Sequence, residues 1–206
     1  MGSFNTADLI VISPLVTLFI GSVIPISVKA FRGKEMNHFS ALVWSIFGIV
    51  TSAGLNIALV NGYWKLSGLN FMTSFSGALI VDGISVWASY IIYIITGFVL
   101  MLLYENKATR DFQFAEHIFL VMSSALGMVL VSMANNLIVT FIAIELMALS
   151  LYLLIALSKE RVLSKEASFK YFVLCGVGSA IFLYGIAFIF GTAGTTVLQD
   201  GGGMAA

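Results

Sequence analysis

Charge and cysteine are both scarce in this sequence. Only 10% of its 206 residues are charged, and ten Lys and Arg balance ten Asp and Glu, so the formal net charge is zero. The single cysteine, Cys175, excludes an intramolecular disulfide. The sequence also has no CxxC, HExxH, GxGxxG or P-loop pattern and no basic cluster. It therefore offers no recognisable metal, dinucleotide, phosphate or nucleic-acid site.

Long apolar runs take the place of those motifs. Hydrophobic residues make up 60% of the chain, against roughly 45 to 50% in soluble domains. Runs without Asp, Glu, Lys or Arg cover 9–28, 36–64, 83–104, 117–144 and 171–199. Each reaches the roughly 18 to 20 residues that cross a bilayer as a helix, and none alternates with period two as barrel strands do. The fold class predicted is an all-α, polytopic membrane protein.

Six transmembrane helices are expected within one membrane domain, 1–206. The predicted spans are about 8–28, 39–60, 78–103, 116–134, 137–157 and 169–191. Asn135 and Asn136 separate the fourth and fifth spans, which predicts a tight antiparallel helical hairpin. No Lys or Arg precedes the first apolar segment, and this segment is longer than a signal-peptide core, so we expect an uncleaved first helix.

The basic residues predict the orientation of the helices. Nine of the ten Lys and Arg lie in or beside the loops after the first, third and fifth spans, and only Lys65 lies on the other side. The positive-inside rule places those three loops in the cytoplasm and both termini on the opposite side. The loop 61–76 on that opposite side contains Tyr63, Trp64, Phe71 and Phe75, an aromatic composition typical of a membrane surface.

Glu145 interrupts the apolar stretch FIAIELMALSLYLLIAL, residues 141–157. It lies about eight residues, or about 12 Å, inside the fifth span. An ionised side chain at such depth costs at least about 2.5 to 3.5 kcal/mol. Either the carboxyl group stays protonated, or a cation or a hydrated cavity stabilises the anion, and a group held between these states can carry protons. The alternative is a neutral acid that hydrogen-bonds a neighbouring helix and holds the bundle together.

Two further residues are candidates for a proton path. Tyr152 shares the helical face of Glu145 at i+7, so its hydroxyl could extend a polar path, although a packing role is the common one for such a tyrosine. Lys170 opens the sixth span and is a candidate relay; its alternative role is a cationic anchor at the cytoplasmic surface. About 20 Å of helix rise separates Glu145 from that surface, so direct pairing of the two is not assumed.

Three polar residues lie at predicted helix ends. Asp82 precedes Gly83 at the start of the third span, and a helix-start or interfacial role is expected for it. His38 and His117 adjoin the charged cytoplasmic loops, where an interfacial position is expected and a role in proton entry is the alternative.

Helices five and six carry a resemblance to a known family. IELMALSLYLLIAL and SKEASFKYFVLCGVGSAIFLYGIAFIFGTAGTT resemble the N subunit (chain 2) family of proton-pumping NADH-quinone oxidoreductase, respiratory complex I. The IEL with its downstream LYLL, the EAxxKYF, the FLYG and the closing GxxGTT carry the likeness, and VDGISVWASYIIYIITGFVLMLLY looks like that family's third helix. The similarity extends from about residue 78 to 198, within an antiporter-like superfamily that includes the Mrp-type antiporters.

The resemblance implies a function and a setting. It implies the N-terminal portion of a fourteen-helix antiporter-like fold, in a subunit that takes part in proton translocation coupled to electron transfer from NADH to quinone. Glu145 matches the family's buried glutamate, and Lys170 matches the lysine at the start of its sixth helix. No cofactor or metal is expected in this chain, whereas NADH, FMN, iron-sulfur clusters and quinone are implied in the assembled complex.

The resemblance also implies partners and a location. The partners would be other membrane subunits, the lipid bilayer and quinone in the assembled complex, with no nucleic acid. A bacterial inner membrane is expected, with an organelle inner membrane as the alternative.

The sequence departs from the family pattern after GTTVLQD, where it ends in GGGMAA without a broken seventh helix or a second repeat. It appears truncated relative to the family, and we expect no pumping and no redox chemistry from this chain alone. Two other functions stay open: an Mrp-type Na⁺/H⁺ antiporter subunit, and a non-catalytic structural membrane subunit.

Overall fold

The computed structural model describes residues 6–32, 37–61, 71–106, 113–157 and 162–198. These residues form six helices and a two-stranded sheet. In chain order the elements are α1 (Thr6–Arg32), α2 (His38–Leu59), β1 (Phe71–Ser74), β2 (Leu79–Asp82), α3 (Gly83–Glu105), α4 (Phe114–Met133), α5 (Leu137–Ala156) and α6 (Val162–Ala193). All six helices are long and apolar enough to cross a membrane, which confirms the predicted number of transmembrane helices.

The third helix begins later than the sequence predicts. Residues 78–82, expected to be helical, contain β2, which pairs antiparallel with β1 in a register that joins Phe71 to Asp82 and Ser74 to Leu79. Asp82 then caps α3: its carboxylate accepts the Ser85 backbone N–H at 2.7 Å, and the Ser85 hydroxyl accepts the Asp82 N–H at 2.9 Å. This reciprocal capping box fixes the helix start at Gly83 and confirms the helix-start role of Asp82.

One end of the bundle is held together by hydrogen bonds between its connecting segments. Asp8, near the start of α1, accepts bonds from the Ser74 hydroxyl at 2.8 Å and the Phe75 N–H at 2.9 Å. Asn135, between α4 and α5, donates from its side chain to the Gly77 carbonyl at 2.8 Å, and its own carbonyl accepts the Leu198 N–H at 2.8 Å. The starts of α1, α3 and α5 therefore lie at the same end as the C-terminal ends of α4 and α6. The loop residues Tyr63 and Trp64 lie outside the described residues.

Helices α1 to α4 form the packed core, and its centre contains hydrogen-bonded polar groups. Ser52 Oγ lies 2.7 Å from the Pro14 carbonyl oxygen and 2.7 Å from Tyr93 Oη. Asn56 Nδ2 donates to the same Tyr93 hydroxyl at 3.0 Å. These buried groups join α1, α2 and α3 through hydrogen bonds. Because lipid tails offer no hydrogen-bond partner, polar side chains inside a membrane bundle are satisfied by neighbouring helices.

Helices α5 and α6 form an outer pair. α5 packs along α4, and α6 packs along α5, while the remaining faces of α6 are exposed within this chain. At 1.5 Å per residue the 32-residue α6 is about 48 Å long, well beyond a hydrocarbon core of about 30 Å. It begins at Val162, seven residues before the predicted span, so its first turns, with Lys165 and Glu166, extend beyond the apolar segment.

Candidate proton-carrying site

Glu145 lies in the middle of α5 and is half-buried in the contact with α6. The Ser179 hydroxyl of α6 donates a hydrogen bond to Glu145 Oε1. Within the described part of the chain, the ion pairs seen are Lys29 with Glu116 and Lys170 with Glu166, and neither includes Glu145. The carboxyl group is thus held by a neutral hydroxyl at the middle of a membrane helix.

A single stripe of α6 makes this contact. Most α6 side chains are exposed, and the less exposed ones recur every three or four residues, the spacing of one helix face. The stripe consists of Ser164, Ser168, Tyr171, Cys175, Ser179, Phe182 and Ile186. Ser179 therefore points at α5 because it occupies the interface position of this repeat.

Aromatic contacts lie on both sides of the Glu145–Ser179 hydrogen bond. The Phe141 and Phe182 ring centroids are 6.2 Å apart, one turn away on each helix. Tyr152 and Phe172 meet edge-on at 5.4 Å, two turns away in the other direction. Together these contacts set the register of α5 against α6, since sliding either helix by one turn would break both.

Gly127 fixes the distance between α4 and the segment of α5 that carries Glu145. A Cβ atom placed at Gly127 would lie 2.9 Å from the Ala143 carbonyl oxygen and 2.9 Å from the Met147 nitrogen. Such distances are too short for a methyl group, so only glycine allows this approach. Ala143 and Met147 are each two residues from Glu145, so the backbone around the carboxylate is in direct contact with α4.

The structure does not bring Lys170 to Glu145. Its ammonium lies 2.6 Å from Glu166 Oε1, one turn earlier on α6, and the two side chains are 67% and 53% exposed. Lys170 precedes Ser179 by nine residues, which is about 14 Å of rise. Its role as a relay stays a prediction.

Tyr152 lies on the same interface as Glu145, two turns away. Its backbone carbonyl accepts the Ser168 hydroxyl of α6 at 2.8 Å, and its ring packs against Phe172. These contacts fit the packing role that the sequence left open, and a part in proton movement stays a prediction.

An ion pair between α1 and α4 was not predicted from the sequence. Lys29 Nζ lies 2.6 Å from Glu116 Oε1, with the two side chains 28% and 26% exposed. Both residues flank predicted cytoplasmic loops, and this shared location is the signal that could have suggested the pair.

His38, whose ring meets Phe114 edge-on at 5.2 Å, lies at the same end of the bundle as this ion pair. So does His117, whose Nδ1 is 2.8 Å from the Gln113 carbonyl oxygen. A role of either histidine in proton entry stays a prediction.

The chemistry available at the centre of the α5–α6 interface is proton exchange. An ionised carboxylate only accepts hydrogen bonds, a protonated one can also donate, and a serine hydroxyl does both. In residues 6–32, 37–61, 71–106, 113–157 and 162–198, no group of three or more His, Cys, Asp and Glu could hold a metal ion.

Comparisons with known proteins agree with the resemblance seen in the sequence. A family model described as NADH:quinone oxidoreductase/Mrp antiporter, TM matches residues 134–204. NADH-quinone oxidoreductase subunit N of Bdellovibrio bacteriovorus is 43% identical over 199 residues, covering 96% of this chain and 39% of that protein. Subunit N 2 of Koribacter versatilis is 32% identical over 191 residues, covering 93% of this chain and 39% of that protein.

The fold is shared with solved respiratory complexes. A chain of respiratory complex I from Thermus thermophilus with bound aureothin superposes with a TM-score of 0.71 at 23% identity, covering 93% of this chain and 39% of that one. A chain of an archaeal membrane-bound sulfane sulfur reductase gives 0.70 at 23% identity, covering 93% and 38%. The chain thus spans about two fifths of the length of the relatives that it matches.

Proposed function

We propose that this chain, which is similar over nearly its whole length to N subunits of NADH-quinone oxidoreductase, forms part of a membrane-arm subunit of such an enzyme. In this role it takes part in proton translocation coupled to electron transfer from NADH to quinone, and Glu145 is the acid that carries the proton. The proposal concerns the portion of such a subunit that this sequence covers.

The observation that carries the proposal is a carboxyl group at mid-helix held by a hydroxyl. An ionised side chain at the centre of a membrane helix costs at least about 2.5 to 3.5 kcal/mol. A hydrogen bond to a charged group contributes about 1.5 to 3 kcal/mol, so the bond from Ser179 offsets a cost of similar size. Because its partner is a hydroxyl that can both donate and accept a hydrogen bond, Glu145 suits repeated uptake and release of a proton.

Lys170 and Tyr152 have secondary parts in the proposal. Lys170 is the cationic relay at the cytoplasmic start of the apolar part of α6, and Tyr152 lies between it and Glu145 on the interface. Ser179 marks the level of Glu145 on α6, and about 14 Å of helix rise separates it from Lys170. A proton that moves between Lys170 and Glu145 therefore requires water. The cytoplasmic location of this end follows from the positive-inside rule.

The proposed setting is a multi-pass subunit in a bacterial inner membrane, beside other membrane subunits. NADH, FMN, iron-sulfur clusters and quinone belong to the remainder of that enzyme. This chain contributes no group to electron transfer, and its part is confined to the proton.

The decisive experiment replaces Glu145 with Gln in the assembled enzyme and reconstitutes it in vesicles. Proton uptake and quinone reduction are measured together, with Glu105→Gln as the matched control, because it makes the same change at an exposed carboxylate at the end of α3. We expect Glu145→Gln to lose most of the proton uptake and Glu105→Gln to retain it. Normal pumping by a fully assembled Glu145→Gln enzyme would contradict the proposal.

Two alternative functions make different predictions in the same experiment. The family description includes the Mrp antiporters, and such a subunit would show sodium-dependent proton exchange without NADH oxidation. A purely structural role would make Glu145→Gln silent, because glutamine keeps a donor and an acceptor. In that case Glu145→Leu would weaken assembly, because the Ser179 hydroxyl would lose its partner.

A further inference from the structure

We infer that Ser179 is the positioning residue for Glu145, and that its hydroxyl reverses the direction of the hydrogen bond when the carboxyl group takes up a proton. This inference rests on the proposed function, because it describes how the acid is held through a cycle of proton uptake and release. It assigns a role to a serine that no sequence pattern singles out.

The first support is the direct contact between Glu145 and Ser179, together with the ionisable groups that surround it in the described part of the chain. Tyr152 on α5 and Cys175 on α6 share the interface with Glu145. On α4 the ionisable groups are Glu116 and His117 at its first turn, about ten residues, or about 15 Å, from the level of Gly127. In the described ranges no basic side chain forms an ion pair with Glu145, and its carboxyl group is hydrogen-bonded there to the hydroxyl of Ser179.

The second support is the rigidity of the two helices around this pair. The Phe141–Phe182 and Tyr152–Phe172 contacts set the register on either side. Gly127 holds the Glu145 segment against α4. A fixed backbone leaves rotation of the hydroxyl as the low-cost response to a change in protonation.

The chemistry of the reversal balances without another reactant. In the ionised state the Ser179 O–H donates to Glu145 Oε1 across the contact between these two atoms, since an ionised carboxylate only accepts hydrogen bonds. When a proton arrives it stays on the carboxyl group, whose new O–H donates to Ser179 Oγ. The Ser179 hydroxyl proton then turns to the Cys175 backbone carbonyl, four residues earlier, a common acceptor for serine in a helix. No polar group loses its partner in either state.

The test uses the full-length assembled enzyme in vesicles with variants of Ser179. Ser179→Ala removes the hydroxyl, Ser179→Thr keeps it, and Ser179→Cys substitutes a weak donor of similar size. Ser168→Ala is the matched control, because Ser168 lies on the same stripe and donates to the Tyr152 carbonyl rather than to Glu145. The readouts are the proton-pumping rate and the infrared band of the protonated carboxyl group that disappears in Glu145→Gln.

We expect Ser179→Ala to shift that infrared band to higher frequency and to slow pumping by about tenfold, the change that loss of one hydrogen bond to a charged group produces. Ser179→Thr should restore both properties, Ser179→Cys should fall between, and Ser168→Ala should match the unaltered enzyme. An unshifted band in both Ser179→Ala and Ser179→Cys would overturn the inference.

The two proposals fail in different ways. If Glu145→Gln pumps normally while Ser179→Ala still shifts the band, then the proton-carrying function is wrong and the Ser179 contact is correct. If Glu145→Gln abolishes pumping while Ser179→Ala leaves the band and the rate unchanged, then the function stands and the positioning role is wrong.

Discussion

Replacing Gly127 with alanine should separate α4 from the segment of α5 that carries Glu145. The added methyl group would lie 2.9 Å from two backbone atoms of α5, those of Ala143 and Met147, and 3.1 Å from the Met147 Cβ. Backbone atoms cannot turn aside as the end of a flexible side chain can, so the helices themselves must move. Overpacking of this kind costs about 1 to 3 kcal/mol.

The net effect also includes the helix preference of the new residue. Alanine is favoured over glycine inside a helix by about 1 kcal/mol, so Gly127→Ala should destabilise by about 0 to 2 kcal/mol once this gain is subtracted. Gly97→Ala on α3 is the control, because no atom of the described residues lies within 4 Å of its added Cβ. Gly97→Ala should gain the helix preference of alanine without any overpacking cost. The difference between the two variants is therefore the overpacking cost, and Gly127→Ala should be about 1 to 3 kcal/mol less stable than Gly97→Ala.

Thermal unfolding of the purified chain in detergent can measure this difference. Labelling of Cys175, the single cysteine, by a thiol-reactive dye reports opening of the α5–α6 interface, since this thiol is half-buried there. Gly127→Ala should expose Cys175 at a lower temperature than Gly97→Ala. Equal midpoints for the two variants would refute the close approach of α4 and α5.

Two further predictions concern the ends of the bundle. Lys29→Met and Glu116→Gln should show a coupling energy of about 1 kcal/mol in a double-mutant cycle of unfolding, as expected for a partly buried ion pair; purely additive effects would rule out the pairing. Asp82→Ala should destabilise α3 by about 1 kcal/mol through loss of its cap, whereas Asp82→Asn should retain most of the stability. Faster hydrogen exchange of the Ser85 amide in Asp82→Ala is the measurement, and unchanged exchange would contradict the capping role.

The sequence predicted the features that depend on composition. Long apolar segments, one of them interrupted by Glu145, predicted six helices because hydrocarbon leaves the backbone few other ways to satisfy its polar groups. Asn135 and Asn136 predicted the tight turn, and the Asn136 side chain does cap α5 by accepting the Ile138 N–H at 2.8 Å. Glu145 stood out because one carboxyl group in an apolar run is conspicuous. The orientation across the membrane stays a prediction.

The features that the sequence did not predict depend on contacts between distant segments. The β1–β2 hairpin has strands of only four residues, and its turn places Phe75 and Ser76 at positive φ without an Asn-Gly signal. The first strand, β1, begins at residue 71 and is stabilised by pairing with β2 rather than by an evident preference of its own residues for a strand. Ser179 was missed for a similar reason, because a serine in an apolar helix gives no signal until the register against α5 is known.

We propose that Glu145 takes up and releases a proton while the enzyme works. Infrared difference spectroscopy of the assembled enzyme, recorded between resting and quinone-reducing states, tests this most directly. We expect a carboxyl band that changes during turnover and is absent in Glu145→Gln but present in Glu105→Gln. A turnover spectrum that is identical in the unaltered enzyme and in Glu145→Gln would contradict the claim.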